Sequence, residues 1–309
     1  MSDLRLFQIQ DGTAREVQGS AVALEKSLQG LIERNLDELL GIRFLASEYS
    51  TGRKHSGRID TLGIDENGSP VIIEYKRSMN ENVINQGLFY LDWLMDHKAE
   101  FKLLVMEQEG PEAADGIEWS APRLLCIAGD FTRYDEHAVE QMNRNIELIR
   151  YRRFGDTLLV LELVNAAAAE GAATASGGKA MRGKDPSSQN QYKTVSEVLA
   201  ELPPDLSDLY EELRAFLLAL GDDVQEKTLK YYVAFRRLKN FVCVEARPTR
   251  GALLLFLKID PDTVQLEEGF TRDMRGIGHF GTGDLEVVIH NRDDLERAKP
   301  LILRSYEGG

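Results

Sequence analysis

Asp60, Glu74 and Lys76 stand inside two apolar stretches that read as a β-hairpin, SGRIDTLGIDENGSPVIIEYKRS over residues 56 to 78. Charged groups leave an apolar core unless they are paired, bound to a metal or used. Alternate residues of a strand share a face, so Glu74 and Lys76 point the same way as Ile72, while Val71, Ile73 and Tyr75 take the other side. The turn decides where Asp60 goes. A two-residue loop at Asn67-Gly68 would set Asp60 opposite Tyr75, facing away from Glu74. A three-residue loop, Glu66-Asn67-Gly68 with Gly68 left-handed, sets Asp60 directly across from Glu74. The second register is expected, because it gathers two carboxylates and an ammonium at one spot.

Such a set suits Mg²⁺ or Mn²⁺, hard cations that need few protein ligands and retain waters. An ion held by Asp60 and Glu74 would offset their repulsion and stabilise charge on a phosphodiester oxygen. The Tyr75 carbonyl is a further candidate ligand. Lys76 would orient the attacking water or neutralise charge in the transition state.

The elements that must position these groups follow from periodicity. Leu24, Leu28, Leu31, Leu36 and Leu39 fall at helical spacing over residues 20–40, with Gly41 as a stop. Strands are expected at 43–49, 58–65 and 70–77, then a long helix from about Asn80 through Val83, Leu88, Leu91 and Leu94. PRLLCIAGD reads as a strand before a helix around 134–146, and ELIRYRRF and DTLLVLELV turn at Gly155-Asp156. This order predicts an α/β domain with a mixed sheet.

Asp60, a gap of 13 residues, then Glu74-Tyr75-Lys76 resembles the PD-(D/E)XK nuclease superfamily. That resemblance implies a restriction-endonuclease-like mixed-sheet fold, a metal-linked glutamate on the preceding helix and, in one branch, a QxxxY motif on the following one. Gln86-Gly87-Leu88-Phe89-Tyr90 matches the motif and puts Gln86 and Tyr90 on one helical face. Of Glu25, Glu33 and Glu38, Glu25 lies about 50° from the middle of the apolar stripe and the others about 90° or more. Glu25 is therefore the expected metal-linked glutamate. The wording SGRID…D.NG…VIIEYKR, with LEKSLQGLIERNL before it, is most similar to the catalytic domain of NucS-type endonucleases over roughly residues 20 to 100. It departs from them in carrying Ile59 where the superfamily has its proline. With about 20 residues before the helix, their N-terminal β domain is expected to be absent, so mismatch recognition and dimerisation are not implied.

The implied activity is hydrolysis of DNA phosphodiester bonds by a Mg²⁺- or Mn²⁺-dependent endonuclease, in repair or in defence against foreign DNA. The sequence does not separate DNA from RNA, and a homodimer would let two sites cut two strands. Arg53, Lys54, His55 and Arg58 before the hairpin and Arg77 after it would form a basic rim for phosphate contacts. Arg150, Arg152 and Arg153 are weaker candidates for lining a groove. The alternative reading is a nuclease fold kept as a non-catalytic nucleic-acid-binding or regulatory module. A net charge of −14 favours that alternative, since attraction to phosphate normally needs a basic footprint.

Residues 165–192, rich in Ala, Gly and Ser, read as a flexible linker between a nuclease-like domain at 1–164 and a small α+β domain at 193–309. The second domain resembles a family of unknown function found beside nuclease modules, which supplies no site residues. Its KTLKYYVAFRRLKNFVCVEARPTR stretch interleaves basic and aromatic residues, more often a charged outer sheet face than a nucleic-acid surface. GIGHFGTG, residues 276 to 283, lacks the lysine and following helix of a phosphate loop, and His279 reads as a turn residue. Cys126 and Cys243 lie in apolar runs far apart, without zinc spacing. MSDLRLFQIQDG is no signal peptide and no run is long enough to span a membrane, so a cytoplasmic location is expected.

Overall fold

The computed structural model describes residues 4–20, 25–52, 57–76, 82–167 and 193–308. The chain divides into two compact units, Met1–Glu170 and Gly171–Gly309.

The first unit opens with a two-stranded ribbon, β1 (Leu6–Gln10) and β2 (Thr13–Val17), then β3 (Gly19–Ser20), α1 (Glu25–Arg34) and α2 (Leu36–Leu40). Periodicity alone runs the last three together as one helix. The structure starts later, because Ser20 pairs as a strand with Arg153, and breaks at Asn35, whose φ of −127° is not helical. Gly41 ends α2 at φ 62°, its N–H reaching the Asp37 carbonyl at 2.8 Å.

Next come β4 (Ile42–Ser50), β5 (Arg58–Asp65), β6 (Pro70–Lys76), α3 (Asn82–Asp96), α4 (Lys98–Glu109), α5 (Pro111–Asp115), β7 (Arg123–Ala128), α6 (Arg133–Glu140), β8 (Asn145–Phe154) and β9 (Leu158–Ala167). They form a mixed sheet in the order β3-β8-β7-β6-β5-β4, with β9 also on β8. β4, β5 and β6 are antiparallel, whereas β6, β7 and β8 run parallel. β9 extends past the residues where linker composition sets in, pairing Asn165, Ala166 and Ala167 with Leu148, Glu147 and Ile146. Main-chain pairing of this kind leaves no mark on composition. The rest of the expected linker, 168–192, lies outside the described residues.

The β5–β6 turn sets the register. Asp65 N–H donates to the Ser69 carbonyl at 2.9 Å, Gly68 N–H to the Asp65 carbonyl at 3.0 Å, and Gly68 has φ 79°. The Asp65 carboxylate caps the turn, accepting from the N–H groups of Asn67 and Ser69 at 2.9 and 2.8 Å. Thr61 therefore pairs with Ile73 and Leu62 with Ile72. Leu62 and Ile72 pack with Leu91 and Leu94 of α3, while Thr61 hydrogen-bonds Glu33 of α1. Adjacent residues of a strand alternate sides, so α1 and α3 cover opposite faces of the sheet.

At the turn end of the sheet Arg123, 1% exposed, donates to Asp65 at 2.8 Å and to both oxygens of Glu147 at 2.8 Å. This buried triad ties the hairpin turn to β7 and β8.

The second unit contains α7 (Val195–Ala200), α8 (Pro204–Leu218), β10 (Gln225–Thr228), β11 (Val233–Arg236), β12 (Asn240–Arg247), β13 (Ala252–Leu257), β14 (Thr271–Asp273), β15 (Leu285–Ile289) and α9 (Arg292–Gly308). Its sheet is antiparallel throughout, in the order β10-β11-β12-β13-β15-β14. The closing helix, α9, runs through Pro300. Leu213, Phe235, Leu255 and Ile302 belong to the core between helices and sheet, and Tyr232, Cys243, Phe256 and Met274 form a smaller cluster on the opposite face. Both cysteines are buried and free. Among the described residues no helix is long and apolar enough to cross a membrane.

Candidate active site

One step beyond the Thr61–Ile73 pair, Asp60 stands across from Glu74. There, side chains take over from the ladder. The Asp60 N–H donates to Glu74 Oε1 at 3.2 Å, and the Tyr75 N–H donates to Asp60 Oδ2 at 3.0 Å. This reciprocal exchange fixes each carboxylate against the other's strand. Glu74 is fully buried and Asp60 half-buried. Two carboxylates this close, one stripped of water, favour a cation between or beside them. Lys76, half-buried, lies two residues from Glu74 and so on the same face of β6.

Among the described residues no group of three or more His, Cys, Asp or Glu side chains gathers to hold a metal. The donor set at the hairpin is thus a carboxylate pair. It fits a hard ion such as Mg²⁺, bound through one or two carboxylates with its remaining waters kept.

Tyr75, on the opposite face, sends its phenol to within 3.4 Å of Thr61 Oγ1. Burial pushes that phenol above its ordinary pKa; the Thr61 hydrogen bond opposes the shift, and the charges of Glu33, Asp60 and Glu74 add to it. All three acids therefore act on one buried ring.

In the described structure α1 contributes Gln29 and Glu33 near the hairpin. Glu25 is the first residue of α1, and its side chain lies outside the described part of the structure. Glu33, placed off the apolar stripe by its angle, accepts from Thr61 Oγ1–H at 2.6 Å and from Gln29 Nε2 at 3.0 Å. Gln29 is itself buried, and its amide also reaches the Asp60 carbonyl at 2.8 Å and Ser47 Oγ at 3.2 Å. In the described structure the helix is joined to Asp60 through Gln29, with Glu33 bonded to the neighbouring Thr61. Thr61 on β5 and the buried Gln29 amide hold Glu33 inward, and a helical wheel contains no strands. The sequence did carry one signal: Gln29 sits between Leu28 and Ile32, a polar residue on a buried stripe.

Gln86 and Tyr90 do meet. Gln86 Nε2 donates to the Tyr90 hydroxyl at 3.1 Å, and that oxygen accepts the Arg58 N–H at 3.1 Å. Tyr90 is 5% exposed and anchors the start of β5, two residues before Asp60, without a hydrogen bond to either carboxylate in the described structure. Beside it, Gly57 exchanges hydrogen bonds with Thr51, N–H to Oγ1 at 2.9 Å and Thr51 N–H to the Gly57 carbonyl at 3.0 Å. A Cβ on Gly57 would lie 2.5 Å from the Tyr90 ring. Gly57→Ala is accordingly expected to lower stability by about 1–3 kcal/mol through overpacking, measured by urea unfolding. Tyr90→Phe, which keeps the ring but loses the Arg58 bond, should cost about 1 kcal/mol. An alanine variant as stable as wild type would show that Tyr90 is not held by this contact.

Of the expected basic rim, Arg53, Lys54, His55 and Arg77 lie outside the described residues. Arg58 is exposed and ion-paired with Glu48. Arg150 does not line a groove: it is buried between Asp130 at 2.8 Å and Glu162 at 3.0 Å. Arg152 and Arg153 donate to the carbonyls of Leu4 and Asp156.

Residues 195–308 match the model of a domain of unknown function (DUF5655). An uncharacterised protein of Haemophilus influenzae is 27% identical over 98% of this chain and all of its own length. A repair endonuclease from Pyrococcus abyssi, known by its crystal structure, overlaps 42% of this chain and 49% of its own at 19% identity, with a TM-score of 0.28. The structure of an EndoMS–double-stranded DNA complex overlaps 42% of this chain and 47% of its own, also at 19% identity, with a TM-score of 0.24. The chain thus spans about half the length of each of these solved structures.

Proposed function

We propose that the first unit is a divalent-cation-dependent nuclease that hydrolyses phosphodiester bonds, with DNA as substrate. The observation that carries this reading is the Asp60–Glu74 exchange across the open end of the β5–β6 ladder, with Lys76 on the same face. Glu74 is fully buried and Asp60 half-buried, and burial and like charge both disfavour ionised carboxylates, so a bound cation would favour the pair. Asp60 and Glu74 would hold Mg²⁺ or Mn²⁺, which supplies Lewis acidity toward the scissile phosphate. Lys76 places a positive charge where negative charge builds on the phosphodiester oxygens. Gln29 fixes the main chain at Asp60 from one face of the sheet, and Tyr90 fixes the start of β5 from the other. These contacts keep the carboxylates preorganised, so little reorganisation is needed when substrate arrives.

The net charge of −14 favours a second reading, a nuclease fold that binds without cutting. One panel separates the two: single-stranded, duplex, branched and base-modified DNA, plus RNA, incubated with wild type or Asp60→Ala in Mg²⁺, Mn²⁺ or EDTA. The expected result is cation-dependent cutting of DNA that disappears in EDTA and in the variant. Equal cutting by Asp60→Ala would overturn the site assignment. No cutting, with no Mn²⁺ binding by calorimetry, would leave the binding module.

A further inference from the structure

The second unit carries a cavity of about 140 Å³ bordered by Tyr231 and Phe280 and by the last three residues of β12, Glu245, Ala246 and Arg247. β11 stops pairing at Val244, so this end of β12 is bonded only to β13 on its other side. Its main-chain edge and two charged side chains thus border the cavity. The volume lies well below the roughly 300–1,000 Å³ of pockets for drug-sized ligands and suits one small planar ring system.

The aromatic wall is held in place. Tyr231 and Phe280 lie with ring centroids 4.6 Å apart at 32°. Phe280 belongs to the glycine-rich loop, and the residues after it are pinned to β12. Thr282 N–H donates to Cys243 Sγ at 3.3 Å. Gly281, at φ 84°, passes so near that a Cβ would lie 2.6 Å from the Cys243 Cβ. The glycines therefore allow the loop to lie on the sheet and set Phe280 against Tyr231. The Lys230 ammonium lies 4.9 Å from the Tyr231 ring centroid.

The polar lining includes Lys193, Thr249 and the Glu245–Arg247 ion pair. Glu245 is 5% exposed and accepts from Arg247 at 2.7 Å. Burial raises the Glu245 carboxyl above its ordinary pKa, and Arg247 pulls against that rise. A carboxylate can accept several hydrogen bonds, so Arg247 leaves it able to accept N–H donors from a ligand.

We infer that this cavity binds a single nucleobase, stacked on the Tyr231–Phe280 wall and read through its N–H groups by Glu245. A base supplies the flat π-surface that aromatic side chains recognise and an edge of N–H donors that an acceptor-only carboxylate can read. Lys193 and Arg247, both lining the cavity, bring positive charge for an attached phosphate. Guanine, with two adjacent donors on its Watson–Crick edge, is the base such a carboxylate favours most. The site is independent of the catalytic reading of the first unit.

The test is calorimetry on the full chain with GMP, AMP, CMP and UMP, with ribose 5-phosphate and inorganic phosphate as controls. At least one nucleotide, GMP foremost, is expected to bind, with affinity falling at least tenfold in Glu245→Gln and in Tyr231→Ala. Asp60→Ala should bind as wild type does, which separates this cavity from the hairpin site. Glu245→Gln keeps the shape of the side chain, so it remains informative if Tyr231→Ala does not fold. Absence of binding to all four nucleotides, equal binding of ribose 5-phosphate, or undiminished affinity in Glu245→Gln would overturn the inference.

Discussion

Lys76→Ala is expected to reduce cleavage about 10²–10³-fold at saturating cation, equivalent to about 3–4 kcal/mol of transition-state stabilisation. Lys76 is the last residue of β6, half-buried, and its strand neighbour on β7 is Ala128, so truncation leaves no large cavity. Its ammonium shares a face with Glu74, where charge would develop on the phosphodiester. Removing it should therefore lower turnover far more than it alters the fold. Cleavage is measured with whichever substrate the panel identifies, and circular dichroism melts are run in parallel. Lys76→Arg separates charge from shape, since guanidinium keeps the charge but is planar and reaches further. It should recover only part of the loss. Undiminished turnover in Lys76→Ala would sink the role assigned to Lys76. A collapse of the melt together with activity would make the residue structural.

The second large effect is on stability, at the other end of the same strands. Arg123→Met is expected to destabilise the first unit by about 3–5 kcal/mol, because it leaves two carboxylates buried without their counter-ion. Asp65 and Glu147 have 2% and 5% of their side-chain surface exposed, so neither can recover its hydration by turning outward. The triple change Arg123→Met, Asp65→Asn and Glu147→Gln removes all three charges, and should recover much of the loss. Urea unfolding of the variants measures both. A loss below about 1 kcal/mol would place the triad among surface-like pairs. Any activity still measurable in folded Arg123→Met should have an unchanged cation dependence, since Asp65 lies five residues along β5 from Asp60.

Much of the fold is legible because its elements repeat local rules. The β5–β6 register follows from a short turn: Gly68 tolerates φ 79° where a residue with Cβ is strained, and Asp65 caps the loop next to it. α4 is less legible. Phe101 and Val105 are buried there while Leu103 and Met106 are exposed, so its apolar residues form no single stripe. β9 carries alanines that composition assigns to a linker, yet its pairing with β8 depends on the main chain alone.

The candidate site divides along the same line. Asp60, Glu74, Lys76, Gln86 and Tyr90 lie on elements whose own periodicity fixes their direction, and the sequence by itself determines which of them share a face. It also names the two carboxylates of the candidate pair, for which a hard divalent cation is proposed. What the tertiary structure decided is how the described residues of α1 are joined to β4 and β5 beside that pair. Gln29 turns toward Ser47 and the Asp60 carbonyl and Glu33 toward Thr61, groups 18 to 31 positions away in sequence. Arg123 finds Asp65 and Glu147 at 58 and 24 positions, and Tyr231 finds Phe280 only because a glycine-rich loop lies down on β12. A helix or strand period is set by backbone geometry within a few residues, so the sequence carries it. A buried polar contact between distant segments is set by which groups lose water together, and only the packed chain determines that.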